Sequence, residues 1–94
     1  MKLITYLTIK GNNIPSTAYS LFLINQNELL ATPISTDNHK LAGSELHFSK
    51  FNDGNYYLPT SGDYLLEKIK RKLTKKVNNY CNVWLKHHLA FAQA

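Results

Sequence analysis

The side chains able to act as acid, base, nucleophile or metal ligand are few: His39, His47, His87, His88, the single Cys81 and six carboxylates. None falls into a spacing that chemistry uses. Cys81 and His88 lie in a stretch that reads as helix, and about 10.5 Å of axial rise separates the thiol from the imidazole that would have to take its proton. His87 and His88 are adjacent, whereas two helical ligands of one metal need i,i+3 or i,i+4 spacing to face one point. His88 is expected to pack over Trp84 instead. Asp37 and His39 can meet within a loop, but a dyad without a third group is not an active site. There is no glycine-rich phosphate loop, zinc motif or nucleophile elbow. The expectation is a protein with no catalytic residues, no metal and no cofactor. An enzyme built on His39 or His47 would need a pocket that gathers residues distant in sequence.

What remains is charge, and it sits in one place. Residues 1–60 carry Lys2, Lys10, Lys40 and Lys50 against Glu28, Asp37, Glu45 and Asp53, and cancel. Residues 61–94 carry Lys68, Lys70, Arg71, Lys72, Lys75, Lys76 and Lys86 against Asp63 and Glu67, so the formal +5 of the whole chain belongs to this segment. Stepping 100° per residue places Leu66, Ile69, Leu73, Val77, Tyr80, Trp84 and Phe91 on one helical stripe. Lys68, Arg71, Lys72, Lys75, Asn79, Asn82 and Lys86 fall on the other side, which makes them the candidate binding face. Lys68/Lys72, Lys72/Lys76 and Arg71/Lys75 are like-charge i,i+4 pairs costing roughly 0.2–0.5 kcal/mol each, opposed by Glu67/Arg71. Local stability does not account for them. Cys81 lies near the stripe as a small apolar filler, and Asn78-Asn79 marks a place where so long a helix can bend.

The elements that must hold this helix come before it. Residues 2–10 alternate loosely and are rich in β-branched and aromatic types, which predicts a strand. Gly11-Asn12-Asn13 and Pro15 break it, and a second strand is predicted over Ala18 to Ile24. Asn25-Gln26-Asn27 turns the chain into Glu28 to Ile34, a strand made edge-like near Pro33. Residues 35–44 read as the longest loop. Leu46 to Phe51 and Tyr56 to Leu58 flank Asn52-Asp53-Gly54-Asn55, where Asp-Gly supplies the positive φ of a tight hairpin. Pro59 ends it. Thr60 or Ser61 can then cap the helix, with Asp63 in its first turn. Tyr56 and Tyr57 are consecutive on a strand and must point to opposite faces, so one of them is a candidate surface anchor.

The predicted fold is therefore α+β, a single domain over 1–94. Its neutral front half, 1–60, forms an antiparallel sheet of four or five strands built from hairpins. One long C-terminal amphipathic helix over 61–94 packs on that sheet in two layers. A lone cysteine forms no internal disulfide and points to a reducing, cytoplasmic setting, and no apolar run is long enough for a bilayer. The N-terminus reads as a first strand and not as a signal peptide. With no RRM aromatics and no KH-type loop, the expected partner is an acidic protein or nucleoprotein complex engaged through the basic helix. Small phage- or plasmid-encoded inhibitors of host defence, anti-CRISPR proteins among them, occupy the same functional class, an analogy of size and of missing active site alone. The alternatives are direct, sequence-independent nucleic-acid binding and a homodimer joined through Trp84, Leu85, Leu89 and Phe91.

Overall fold

The computed structural model describes residues 1–11, 14–36, 45–59 and 64–85; the side chains of Ile14, Pro15, Thr36, Tyr64 to Leu66, Trp84 and Leu85 lie outside that description. Five antiparallel strands follow one another in sequence order, β1 (Lys2–Gly11), β2 (Ile14–Asn25), β3 (Glu28–Thr36), β4 (Leu46–Lys50) and β5 (Tyr56–Tyr57), and one helix, α1 (Tyr64–Tyr80), comes after them. Each strand pairs with its neighbour in the chain, so the sheet is a meander of hairpins and needs no crossover.

Period-2 patterning sets the inward face. Leu7 pairs with Tyr19, Thr5 with Leu21 and Ile9 with Thr17; Tyr19 and Leu21 in turn oppose Pro33 and Ala31, and Leu29 opposes Phe48. Those positions bury Ile9, Tyr19, Leu21, Leu29, Ala31 and Phe48 almost completely. β2 is longer than its residues predict and begins at Ile14. Pro15 is accommodated because it lies by the irregular end of the β1 register, where a missing N–H costs no regular ladder bond. Pro33 lies in a strand flanked on both sides, yet β4 pairs only with Glu28 to Ala31, so the proline stands beyond the reach of its neighbour.

The turns match their chemistry. Asn25 accepts from the Asn27 N–H at 2.8 Å, closing the loop between β2 and β3. In the β4–β5 hairpin Gly54 takes φ of +84°, and Phe51 N–H donates to the Asn55 carbonyl at 2.9 Å.

The sheet is curled, and α1 touches both β1 and β5, its two edges. Ile69, Leu73 and Val77 are fully buried and, with Cys81, join the sheet residues in one core. α-Helical winding ends at Tyr80 after 17 residues and passes into a π-helical segment, Cys81–Leu85, so the long unbroken helix over 61–94 is corrected to a shorter one. The asparagine pair does not break it. The winding changes where the helix reaches the beginning of β1, Tyr80 bonding to the Ile4 carbonyl. The capping residues Thr60, Ser61 and Asp63, and Phe91 of the stripe, lie outside the described residues.

Candidate functional site

Two rows of α1 side chains close the open edges of the sheet. On the β1 side Lys72 Nζ donates to the Lys10 carbonyl at 3.0 Å, Lys76 Nζ donates to the Thr8 carbonyl, and Tyr80 Oη donates to the Ile4 carbonyl at 3.2 Å. The fit is metrical. Residues four apart on a helix rise about 6 Å and residues two apart on a strand about 6.6 Å, so Lys72 and Lys76 reach alternate outward carbonyls, whereas Tyr80 passes over one such position to reach Ile4. On the β5 side a single amide does the same work. Asn78 Oδ1 accepts from the Tyr56 N–H at 2.7 Å while Asn78 Nδ2 donates to the Tyr56 carbonyl at 2.9 Å, the pair of bonds another strand would have made. Lys70 Nζ adds a bond to the Pro59 carbonyl at 2.8 Å.

These bonds revise how the basic residues are to be read. Periodicity groups Lys72 with the cations of the outer face, whereas its ammonium is held on the β1 edge; backbone carbonyls bind both ammonium groups of the like-charge pair Lys72/Lys76. A carbonyl is a neutral partner, and an ammonium has three donors, so the bonds fix the charges in place without cancelling them. Arg71, Lys75, Asn79 and Asn82 are exposed on the side of α1 and the following turn that faces away from the core, and Lys68 is half-buried on the same side. Lys86 lies outside the described residues.

The two tyrosines separate as the strand period requires. Tyr56 is 3% exposed, with its hydroxyl donating to the Gln26 carbonyl at 2.9 Å, and burial raises its pKa. Tyr57 is 37% exposed. Its hydroxyl donates to Asp53 Oδ2 at 2.5 Å, which holds the Asp53 carboxyl below its ordinary value and raises the phenol. Asn55 N–H supplies Asp53 with a second donor at 2.8 Å. The exposed ring of Phe51 meets Tyr57 edge-on, with centroids 5.0 Å apart.

Between β5 and α1 lies an open groove of about 340 Å³. Tyr57 and Leu58 form its sheet side, and Glu67, Lys70, Arg71, Thr74 and Lys75 its helix side. The structure thus brings Tyr57 together with Arg71 and Lys75 of the candidate face and leaves Asn79, Asn82 and Lys72 off the groove. Sequence reasoning did not single out Leu58 and Thr74. The signal for Thr74 was available in the phase of residues 67, 70, 71, 74 and 75, which share one helical face, whereas Leu58 carried none.

Among the described residues His47 and Cys81, the remaining reactive groups, lie in different places. His47 is exposed on the outward side of β4, 3.5 Å from Glu28, and Cys81 is buried with its thiol pushed up to about 11 by loss of solvent, Lys50 opposing the shift. Asp37, His39, His87 and His88 lie outside the described residues, as does Leu89 of the expected dimer contact. Among the described residues no three His, Cys, Asp or Glu side chains gather where a metal could be held, and no helix is long and apolar enough to cross a membrane. No protein-family model, curated protein or solved structure matches the chain.

Proposed function

We propose that this is a binding protein without catalytic activity that engages an acidic protein, alone or within a nucleoprotein complex, through the outward side of α1 and the adjoining β5 hairpin, in the manner of a small stand-alone inhibitor. The observation that carries this reading is the division of labour on α1. Lys72 and Lys76 are committed to the β1 edge, whereas Arg71 and Lys75 turn to solvent beside an exposed aromatic pair, an arrangement the fold itself does not require. The reading takes α1 as an amphipathic element forming a second layer over the sheet, which the buried row Ile69, Leu73 and Val77 opposite Arg71, Lys75 and Asn79 supports. A cytoplasmic setting goes with it.

A protein partner is favoured over naked nucleic acid because the cationic row has no aromatic residues interleaved for stacking bases, and Phe51 and Tyr57 are turned edge-on to each other at one end of it. The test is capture on the immobilised chain from a native lysate, with and without nuclease, by wild type and by Arg71→Glu with Lys75→Glu. The expected partner survives nuclease and moderate salt and is lost with the double variant. The opposing result is submicromolar binding to a plain duplex at physiological salt. If Lys68, Arg71, Lys72, Lys75 and Lys86 each neutralised a phosphate, the slope of log affinity on log salt would be near −4.5, roughly 500-fold between 50 and 200 mM.

A further inference from the structure

We infer that the groove between β5 and α1 is the anchor site of that interaction, receiving one aromatic or large aliphatic side chain of the partner whose neighbouring residues are acidic; this rests on the protein-binding reading above. Three observations converge on it. The groove has about 340 Å³ of space, at the small end of the roughly 300–1,000 Å³ typical of ligand sites, which suits a single large side chain better than a cofactor. Its sheet side is apolar, made by the ring of Tyr57 and the side chain of Leu58. Its helix side carries Lys70, Arg71 and Lys75 against Glu67 alone, so the charge around the apolar floor is positive.

The site is also held in position. Tyr57 cannot swing freely, because its hydroxyl is bonded to Asp53 and its ring is braced by Phe51. Lys70 is tied to the Pro59 carbonyl, and the two walls are joined by the paired bonds between Asn78 and Tyr56. A braced ring beside one tethered cation, Lys70, lowers the ordering cost of binding. Arg71 can take a carboxylate through two parallel N–H bonds, and Lys75, one turn further on, can take a second. A partner segment with an anchor flanked by carboxylates satisfies the ring and both cations together.

Asp53 argues against a nucleotide as the occupant. Its carboxyl is held below its usual pKa and is therefore ionised at neutral pH, and it sits on the Tyr57 hydroxyl. An occupant's anionic groups are repelled at the Asp53 end of the Tyr57 ring and attracted at the helix side by Lys70, Arg71 and Lys75, so the site favours an uncharged anchor flanked by acids on that one side.

The experiment is an NMR titration of the whole chain with capped tripeptides at millimolar concentration: phenylalanine between two glutamates, the same with glutamines, and glycine between two glutamates. The expected result is saturable shifts at the backbone amides of Leu58, Arg71 and Thr74 with the first peptide, and affinity roughly tenfold weaker for each of the others. Thr74→Trp, which fills the groove and leaves its charges, should abolish the response. Equal binding by the glutamate peptides with and without phenylalanine, or no groove shifts with any peptide, overturns the anchor site. Loss of lysate capture in the double charge variant would then still stand, so the broader reading fails separately. A thymidine oligonucleotide binding the same groove more tightly than the first peptide overturns the protein occupant.

Discussion

Asn78 offers the sharpest test of how the sheet is closed. Its side chain makes two bonds, at 2.7 and 2.9 Å, to the N–H and carbonyl of Tyr56, a residue 3% exposed. Asn78→Ala leaves both backbone groups without partners, and an orphaned buried donor or acceptor costs about 1–3 kcal/mol. Water reaches part of this seam, so the low end applies to each, and alanine returns about 0.5 kcal/mol of helix propensity. The net expectation is a loss of about 1.5 kcal/mol, which for a domain of this size lowers the melting temperature by about 6–12 °C. The control is its neighbour. Asn79 is exposed and faces away from the sheet, so Asn79→Ala should be neutral or slightly stabilising. Urea denaturation of both variants, with helix content checked by circular dichroism, decides the matter. Equal stability of the two would mean that the amide clip contributes nothing and that packing alone holds α1 to β5.

Leu73 is fully buried, and Leu73→Ala should cost about 2–5 kcal/mol in the same assay; a cost near zero would contradict the core assignment. Among the described residues Tyr19 Oη is buried without a hydrogen-bond partner, so Tyr19→Phe should leave stability unchanged or raise it, and a clear loss in thermal melts would mean the hydroxyl has a partner after all. Burial raises the Cys81 thiol to about 11 from an ordinary value of 9.0. Its contribution is fully present below pH 9 and is lost as pH rises through about 11, since the unfolded thiol ionises first; Tyr19, Tyr56 and Tyr80, raised likewise, extend the loss. Stability measured across pH 8–11 should therefore fall, Cys81→Ala should flatten part of the fall, and thiol labelling at pH 8 should be slow until urea unfolds the chain. Lys72→Met with Lys76→Met should change the melt little and increase self-association in sedimentation velocity, because it uncovers the β1 carbonyls.

The sheet was legible because each hairpin carries its own signal. Asp53-Gly54 specifies a positive φ, Asn25-Gln26-Asn27 bonds to itself, and alternating residues from Thr5 to Ile9 declare an inward face before any tertiary contact forms. The buried row of α1 was legible for the same reason, and so was the separation of Tyr56 from Tyr57. Less could be read of the basic residues. Helical phase assigns Lys72 and Lys75 alike to the outside, and only the approach of β1, some sixty residues distant in the chain, distinguishes the lysine that grips a strand from the one that faces solvent. Asn78 looked like a weak point in a helix because propensity says nothing of a backbone waiting at the right distance. The groove was half visible: Tyr57, Arg71 and Lys75 were named, but their meeting depends on how the curl of the sheet brings β5 to the helix.

Because the bonds that close the β1 edge come from far along the chain, the order of synthesis matters. Lys72 lies 62 residues after Lys10 and Tyr80 lies 76 after Ile4. At about 5–20 residues per second, a ribosome takes about 3–12 s to add the span from Lys10 to Lys72, and during that interval the first hairpin can form with its outer carbonyls bare. On a polysome, neighbouring nascent chains present the same bare strand to one another. The protein's window for mispairing therefore opens with its first hairpin and closes only with its helix, and crosslinking between chains stalled ahead of Lys72, but not beyond Tyr80, would register it.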